Sequence, residues 1–339
     1  MRVQGAMGRK KAVTTSDLAK RANVSMASVS RVLNNDPSVR PEIRRAVEKA
    51  VEELNYKHKT RSKNGQANRI GLLIPDITNP YFPLMIKGIT HMAAVQGITT
   101  VLANSDLSPE TESEHLKTLS ATRIDGLIYI PFSELLAPAM QELLDQGFPI
   151  VFLDREINMN HICSVTSDNQ EGAYQATTYL LNLGHREIVF ISGLAYLSTS
   201  VTRLAGYCKG MAEFGIEPCE ELILRGDTSL ESGYRETVAL LESGKRFSAI
   251  FASNDMMAFG AWKALEERGY SIPDDVSIIG YDDIPFASFI SLTTIAQPAY
   301  EIGRNALLLL TDLISGRRQP PQKIVLRDSL IIRKSCKKI

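Results

Sequence analysis

VTTSDLAKRANVSMASVSRVLNN, residues 13–35, has the spacing of two short helices joined by a tight turn. Thr14 and Asp17 form a capping pattern, because a hydroxyl and a carboxylate suit the free N–H groups and positive dipole of a helix start. The first helix is therefore predicted to begin at Thr15. Asn23 tolerates the left-handed conformation that ends such a helix, so the turn is predicted there.

The predicted second helix runs from Met26 to Leu33 after a Ser25 cap, and its outward face suits the major groove of DNA. Arg31 can bond both acceptor atoms of a guanine, and serine hydroxyls can bond phosphates. On the helical pattern alone, a hairpin with an ordinary solvated face explains these residues equally well. The outward positions are Met26, Ala27, Ser28, Ser30 and Arg31.

The charge of the chain is divided between a basic N-terminal part and an acidic remainder. Residues 1–68 contain 15 Lys and Arg against 6 Asp and Glu, a net charge of +9, whereas residues 69–339 contain 23 against 32, a net charge of −9. The formal net charge of zero is therefore a cancellation. A basic head attracts phosphates and an acidic body repels them, which favours DNA binding by the first helices.

This stretch resembles the headpiece of the LacI/GalR family of bacterial transcription regulators, through the motifs VSMASVSRVLNN and VEELNY. Pro41 is predicted to start a third helix, which completes a headpiece over residues 12–57. The resemblance implies a regulator that binds double-stranded DNA. It places base-reading residues at Met26, Ala27 and Arg31 and phosphate contacts at Thr14, Ser25, Ser30, Asn34 and Tyr56.

Composition and motifs argue against several other classes of protein. The 339 residues, 44% of them hydrophobic, suffice for a small domain and two lobes with separate cores. No apolar run approaches the roughly 18 residues of a membrane span, and the first eleven residues are polar and basic, so we expect a cytoplasmic protein without membrane partners. The four cysteines lack metal-binding spacing. We expect reduced thiols, no metal and no cofactor.

Seven short apolar runs after Asn68 are predicted to be parallel strands, because segments long enough for crossover helices separate them. Ligands bind at the carboxyl ends of such strands, where polar side chains recur in this sequence. No phosphate loop, dinucleotide fingerprint or nucleophile elbow accompanies them, so a binding body is a simpler interpretation than an enzyme. The runs are RIGLLI, TTVLANS, GLIYIP, PIVFLD, EIVFISG, AIFASN and VSIIGYD.

Residues 69–335 resemble the two-lobed, doubly wound α/β fold of periplasmic sugar-binding proteins, most closely the ribose-binding type, in NPYF, LDR, SNDMMAFGA, GYDD and TTIAQP. The predicted fold class is therefore an all-α helix-turn-helix headpiece followed by a periplasmic-binding-protein-like α/β body. A sugar site needs carboxylates, donors and an aromatic face. The resemblance implies sugar contacts at Phe82, Asp154, Arg155, Arg203, Asn254, Asp282 and Gln297, with Asn79 nearby.

Each of these side chains also has a purely structural interpretation. Asn254 can cap a helix, Phe82 can belong to the core, and the charged residues can form a rim ion pair or a turn. Two positions depart from the resemblance, because Thr228 replaces an aromatic that stacks on the ligand and Ile130 replaces a polar group. The ligand is therefore expected to be bulkier than ribose or less stringently held.

If Gln297 reaches a cleft between two lobes, the chain must cross between them three times, which we expect near Val165, Ile295 and Lys323. In this family the first lobes pair in a homodimer, so ligand-driven closure would alter the fit of two headpieces to a palindromic operator. The chain ends soon after Ile332 without a heptad segment, which favours a dimer over a tetramer. The predicted lobes are 69–164 with 296–322, and 165–295 with 323–335.

The linker predicted at residues 58–68 departs from the family. TRSK stands where relatives have a short helix ending in a leucine that wedges into the minor groove. Lys63 cannot act as an apolar wedge, and Asn64 and Gly65 disfavour a helix. We expect a flexible linker with phosphate contacts rather than a less bent operator, and a strongly kinked operator centre in footprinting would contradict this.

Three functional hypotheses remain open at this point. The leading one is a dimeric transcriptional repressor controlled by a sugar or sugar-like effector. The second is a global carbon-catabolite regulator controlled by a phosphoprotein corepressor, which the pair Met26 and Ala27 suggests and the sugar-type pocket opposes. The third is a solute-binding protein of a transport system, which would need a signal peptide and no headpiece.

Overall fold

The computed structural model of the protein divides into two units, Met1–Arg61 and Ser62–Ile339. The predictions for Thr14, for Asn34 and for most of the linker at 58–68 lie outside the described residues. Those described are 15–33, 39–54, 56, 67–133 and 136–339.

Three helices surround a small core in the first unit: α1 (Thr15–Ala22), α2 (Met26–Leu33) and α3 (Pro41–Glu53). The turn between α1 and α2 has a φ of 53° at Asn23, as its residue type predicts. The backbone N–H of Ser28 donates to Ser25 Oγ at 3.1 Å, so the predicted cap is present. Buried in this core are Leu18, Ala19, Val29, Val32, Val47 and Ala50.

Two six-stranded sheets form the second unit, and all seven predicted strands are present and parallel. The first sheet contains β1 (Arg69–Ile74), β2 (Thr99–Asn104), β3 (Gly126–Tyr129), β4 (Ile150–Leu153), β5 (Cys163–Ser167) and β11 (Gln322–Leu326), in the order β11-β5-β4-β3-β1-β2. The second contains β6 (Ile188–Ser192), β7 (Ile223–Arg225), β8 (Ala249–Ala252), β9 (Ser277–Asp282), β10 (Thr293–Ala296) and β12 (Ser329–Ile331), in the order β12-β10-β9-β8-β6-β7. Among the described strands, β12 alone runs antiparallel to its neighbour.

Helices complete two lobes, one around each sheet. The first lobe has α4 (Tyr81–Val95), α5 (Pro109–Ala121), α6 (Pro138–Asp145) and α12 (Ala299–Ser315). The second has α7 (Asn169–Asn182), α8 (Ser198–Glu213), α9 (Leu230–Glu242), α10 (Asp255–Glu267) and α11 (Pro285–Phe289). Within the described ranges, no helix is both long and apolar enough to cross a membrane.

The chain crosses between the sheets a few residues later than predicted. Val165 and Lys323 were assigned to the second lobe, but β5 and β11 pair with each other in the first sheet. The crossings therefore follow Ser167, Ala296 and Leu326. The difference arises because β5 and β11 are short strands with polar residues, so their lengths depend on pairing rather than on an apolar run.

Two glycines allow α4 and α12 to cross in close contact at the cleft end of the first lobe. A Cβ on Gly88 would lie 2.0 Å from the carbonyl oxygen of Tyr300, and one on Gly303 would lie 2.0 Å from that of Met85. Both helices begin at the carboxyl edge of the first sheet. Their packing therefore holds the start of α4 beside the second crossing segment, which immediately precedes α12.

Candidate functional site

Arg203, on α8, lies at the centre of a buried polar cluster at the carboxyl edge of the second sheet. Its Nε donates to Asn169 Oδ1 at 2.7 Å, and its Nη1 donates to the carbonyl oxygen of Ser253 at 2.5 Å and lies 3.4 Å from Asp282 Oδ1. The guanidinium carbon lies 3.8 Å from the centroid of the Tyr281 ring. Burial acts to lower the pKa of Arg203, but its acidic neighbours raise that pKa overall, so the residue is a fixed cation.

Asp282 ends β9 between two hydrogen-bond donors. Its φ of 109° is a backbone conformation that side chains rarely adopt, so the surrounding contacts must hold it in place. Gln297 Nε2 donates to Asp282 Oδ1 at 2.7 Å. Burial raises the pKa of Asp282 to about 7, although Arg203 acts in the opposite direction.

All three crossing segments meet at one hydroxyl group. Ser167, after which the first crossing starts, places its Oγ 2.6 Å from Gln297 Oε1 and 3.1 Å from Asp328 Oδ2. Asp328 is 8% exposed and also accepts a hydrogen bond from Tyr281. Its Oδ1 has no hydrogen-bond partner among the described residues. Burial raises the pKa of Asp328 to about 6.

Tyr81, the first residue of α4, joins the first lobe to this cluster. Its hydroxyl lies 2.8 Å from Gln297 Oε1 and 3.0 Å from Asp154 Oδ1. Next to Asp154, the buried Arg155 donates through Nη1 to the Phe132 carbonyl at 2.9 Å, and burial lowers the pKa of Arg155. A continuous line of polar contacts therefore runs from the first lobe through the crossing segments to the second.

The structure brings five of the eight predicted ligand residues into this line of contacts and gives the other three local roles. Asn254 caps α10, since its Oδ1 accepts from the Met257 N–H at 2.8 Å, and its Nδ2 donates to the Thr228 carbonyl at 2.8 Å. Phe82 is buried in the core of the first lobe. Asn79 accepts from the Tyr81 N–H at 3.1 Å. The five are Asp154, Arg155, Arg203, Asp282 and Gln297.

Five members of the cluster are absent from the predicted set: Tyr81, Ser167, Asn169, Tyr281 and Asp328. Tyr281 lies within the GYDD motif beside the predicted Asp282. Tyr81 lies within the NPYF motif, next to the predicted Phe82. Asp328 belongs to no motif, and only the third crossing brings it to Ser167. Strand-end position identifies Ser167 and Asn169, but only once β5 is known to end at Ser167.

The predicted DNA-contacting face lies along α2. Met26 is 56% exposed, Ala27 and Arg31 are exposed, and Ser28 is half-buried. Ser25 Oγ lies 2.9 Å from Ser28 Oγ, so these two hydroxyls interact with each other as well as with the helix start. Tyr56 packs against the core, and burial raises its pKa. The predicted phosphate contacts of Thr14, Asn34 and the Ser30 side chain lie outside the described part of the chain.

Comparison with known proteins matches both units to one family. Residues 14–58 match the family of bacterial regulatory proteins called the lacI family. Residues 67–337 match periplasmic binding proteins and the sugar binding domain of the LacI family. The transcriptional repressor PurR of Escherichia coli O1:K1 is 36% identical over 329 residues, which are 95% of this chain and 96% of that protein.

Two solved structures of similar proteins agree with this assignment. A LacI family transcriptional regulator from Enterococcus faecium with bound ribose is 33% identical, with a TM-score of 0.72 over 80% of this chain and 100% of that one. The lac repressor dimer bound to operator and the anti-inducer ONPF is 29% identical, with a TM-score of 0.71 over 96% of this chain and 100% of that one. This chain therefore belongs to the LacI family and is a DNA-binding transcriptional regulator with the family's helix-turn-helix headpiece and periplasmic-binding-protein-like domain.

Proposed function

We propose that this regulator is a homodimeric repressor whose binding to a palindromic operator is controlled by a small sugar held between the two lobes. The observation that supports the sugar site best is the buried contact of Arg203, Asp282 and Gln297, which the hydroxyl of Tyr81 extends into the first lobe. A fixed cation, carboxylates, an amide and a hydroxyl converge there within hydrogen-bonding distance.

These groups suit a ligand that donates and accepts hydrogen bonds from adjacent atoms. Sugar hydroxyls donate to Asp282 and Asp154, while Arg203 and the Gln297 amide donate to sugar oxygens. The ribose bound to the Enterococcus faecium regulator supports this class of ligand. Tyr81 adds a hydroxyl with two acceptors within 3.0 Å, so its single hydrogen can be redirected when a ligand enters.

A sugar in this position controls the protein by favouring closure of the lobes. The backbone N–H of Glu156 in the first lobe donates to Ser198 Oγ in the second at 3.0 Å, so the described arrangement already has contacts across the cleft. A ligand that bonds to both lobes stabilises this arrangement through its differential affinity. A coupling free energy of ~1–3 kcal/mol changes operator affinity by ~5–150-fold, enough for a switch.

A thermal-shift screen tests the sugar site directly. Purified protein is heated with pentoses, hexoses, polyols and their phosphates, each at several concentrations. A bound sugar at 100 times its dissociation constant adds ~2.7 kcal/mol to the free energy of unfolding, so the melting temperature rises with concentration. If no compound raises the melting temperature, the proposed sugar site is wrong. Arg268→Ala, which removes an exposed ion pair with Glu242, serves as a control with the same response as wild type.

The homodimer is supported by large apolar side chains that are exposed on both lobes. Phe289 on α11 is 89% exposed, and Phe286 precedes it on the same helix. In the first lobe, Val95 at the end of α4 and Leu102 on the edge strand β2 are exposed. Where such side chains are contiguous on the surface, they mark protein interfaces. The related lac repressor was solved as a dimer on its operator, which supports the same assembly here.

Replacing Arg31 by alanine tests the proposed base reader. We expect the variant to lose its preference at one base pair of each half-site, at a cost of ~1–3 kcal/mol, because a bidentate contact to guanine is lost. The measurement is binding to duplexes selected from a random library with wild-type protein. Arg45→Ala, an exposed arginine on α3, is the matched control and should leave base preference unchanged. An unchanged consensus in the Arg31 variant, or one chain bound per duplex, would contradict the proposal.

A further inference from the structure

Two aromatic side chains from opposite lobes touch at the rim of the cleft. Phe132 follows β3 in the first lobe, and Tyr196 follows β6 in the second. Their ring centroids lie 5.4 Å apart with an interplanar angle of 45°, which is the contact distance of an aromatic pair. Tyr196 is 44% exposed and Phe132 is half-buried, so the pair stands between the cleft and solvent. We call these two residues the aromatic latch.

Buried charges hold the first-lobe half of the aromatic latch in place. The backbone N–H of Phe132 donates to the carboxylate of Glu112 at 2.7 Å, and its carbonyl accepts from Arg155 Nη1 at 2.9 Å. Glu112 is almost fully buried on α5. Because both backbone groups of Phe132 are bound to buried side chains, its backbone is fixed at the rim and the ring can move only by changing rotamer.

The second-lobe half lies beside another contact between the lobes. Tyr196 is two residues before Ser198, whose Oγ accepts from the Glu156 N–H. Arg155 links the aromatic latch to the cleft, because it contacts the Phe132 carbonyl, lies next to Asp154 and acts electrostatically on Tyr196. Closing the lobes therefore brings the two rings together at the Arg155 end of the polar line.

We propose that the aromatic latch limits the effector to a monosaccharide. A sugar ring between two aromatic faces needs two van der Waals contacts of ~3.5–4.0 Å each, so the faces would be separated by roughly 7–8 Å. Centroids 5.4 Å apart leave no such space, and the rings therefore close beyond the sugar rather than around it. A disaccharide would extend through the rim and prevent the rings from meeting. The same contact stabilises the closed form around a smaller ligand.

The test compares Phe132→Ala, Tyr196→Ala and Tyr196→Phe with wild type in calorimetric titrations with monosaccharides and disaccharides. Each alanine variant should bind a monosaccharide about tenfold more weakly and a disaccharide more tightly than wild type does. Tyr196→Phe should behave as wild type because the ring is retained. Tyr270→Ala, another exposed tyrosine of the second lobe, is the control and should change neither affinity.

The inference rests on the proposed sugar site, and a second measurement separates the two. Hydrogen exchange of the Glu156 amide in ligand-free protein should be faster in both alanine variants, because the closed form is less populated. If no sugar binds wild type, the sugar site is wrong, whereas the exchange result still tests the contact between the lobes. If wild type binds a sugar and the ratio of monosaccharide to disaccharide affinity is the same in all variants, the aromatic latch does not limit ligand size.

Discussion

Arg203→Ala is expected to lower the free energy of unfolding of the α/β body by ~3–5 kcal/mol and to abolish the response to sugar. The substitution leaves Asp282 without its cation and removes the donors to Asn169 Oδ1 and the Ser253 carbonyl. In the unfolded chain each of these acceptors is hydrogen-bonded to water. In the folded variant a buried acceptor without its donor has no hydrogen bond, so its desolvation is not offset. Urea unfolding followed by the fluorescence of Trp262, on α10 of the second lobe, measures the change.

Two further variants separate the causes of this loss. Arg203→Lys keeps the positive charge but lacks the planar fork that reaches Asn169 and Ser253 together, so it should retain part of the stability and little of the sugar response. Arg268→Ala breaks an ion pair with Glu242 at the surface, and we expect a change below ~1 kcal/mol. Equal losses in Arg203→Ala and Arg268→Ala would show that the buried cluster is not the source of stability.

Stability is expected to decrease as pH rises from about 5 to about 7. Burial raises the pKa of Asp282 to about 7 and that of Asp328 to about 6, whereas an unfolded aspartate has a pKa of ~3.9. Between these values the folded protein keeps protons that the unfolded chain has lost. Each retained proton lowers stability by up to ~1.4 kcal/mol per pH unit as pH increases. Above about pH 8, where both carboxyls are ionised in the folded and unfolded chain, these two groups make no further change.

Hydrogen-bond geometry gives an independent reason for a retained proton. The hydroxyls of Tyr81 and Ser167 can donate two hydrogens, but they form four contacts with oxygen atoms. Tyr81 contacts Asp154 and Gln297, and Ser167 contacts Gln297 and Asp328. If the Gln297 amide is turned, its NH2 group donates to both hydroxyls, but its oxygen then faces Asp282 Oδ1 at the distance of a hydrogen bond. In the orientation as described, a proton on Asp328 satisfies the contact with Ser167 Oγ, whereas in the turned orientation a proton on Asp282 satisfies the contact with the Gln297 oxygen.

Asp282→Asn tests this second prediction, because an amide occupies the same space and does not titrate. Melting temperatures between pH 5 and 8 should fall less steeply in the variant than in wild type. Other buried groups with shifted pKa values also titrate in both proteins: burial raises the pKa of Asp255, Asp328 and Glu112 and lowers that of His185. The charge of Asp282 also raises the pKa of Asp255, so the variant lowers that pKa, which flattens the profile in the same direction. Identical pH profiles for wild type and Asp282→Asn would refute the retained proton.

Local chemistry was sufficient to predict much of the fold. The bounds of α1 and α2 follow from a capping pattern, one left-handed Asn23 and a Ser25 cap, all of which act within a few residues. Six of the seven predicted strands consist almost entirely of buried residues, and a strand buried on both faces shows as a continuous apolar run that can be recognised without its pairing partner. The seventh, β2, is an edge strand with exposed and half-buried residues. The strands β5, β7, β10, β11 and β12 were not predicted, since they are short and most contain polar residues.

The candidate site shows the same division. Motif resemblance identified Arg203, Asp282 and Gln297. Asp282 and Gln297 lie at strand ends, which are near the cleft in any such sheet, whereas Arg203 lies within α8. It did not single out Tyr81, whose hydroxyl reaches the cluster, from its neighbour Phe82, and both rings are buried in the core of the first lobe. That choice depends on the rotation of α4, which the close crossing with α12 determines.

The amino-acid sequence by itself determined the helix-turn-helix headpiece, the α/β class of the body and the family, because these depend on caps, periodicity and short motifs within single elements. Only the tertiary structure decided which side chains meet. Asp328 reaches Ser167 across 161 residues, and the aromatic latch joins residues of two lobes. Such contacts depend on where three crossing segments place two sheets, and no local pattern encodes that placement. The physical reason is that a hydrogen bond or ring contact requires a specific distance in space, whereas sequence spacing determines distance only within one helix or strand.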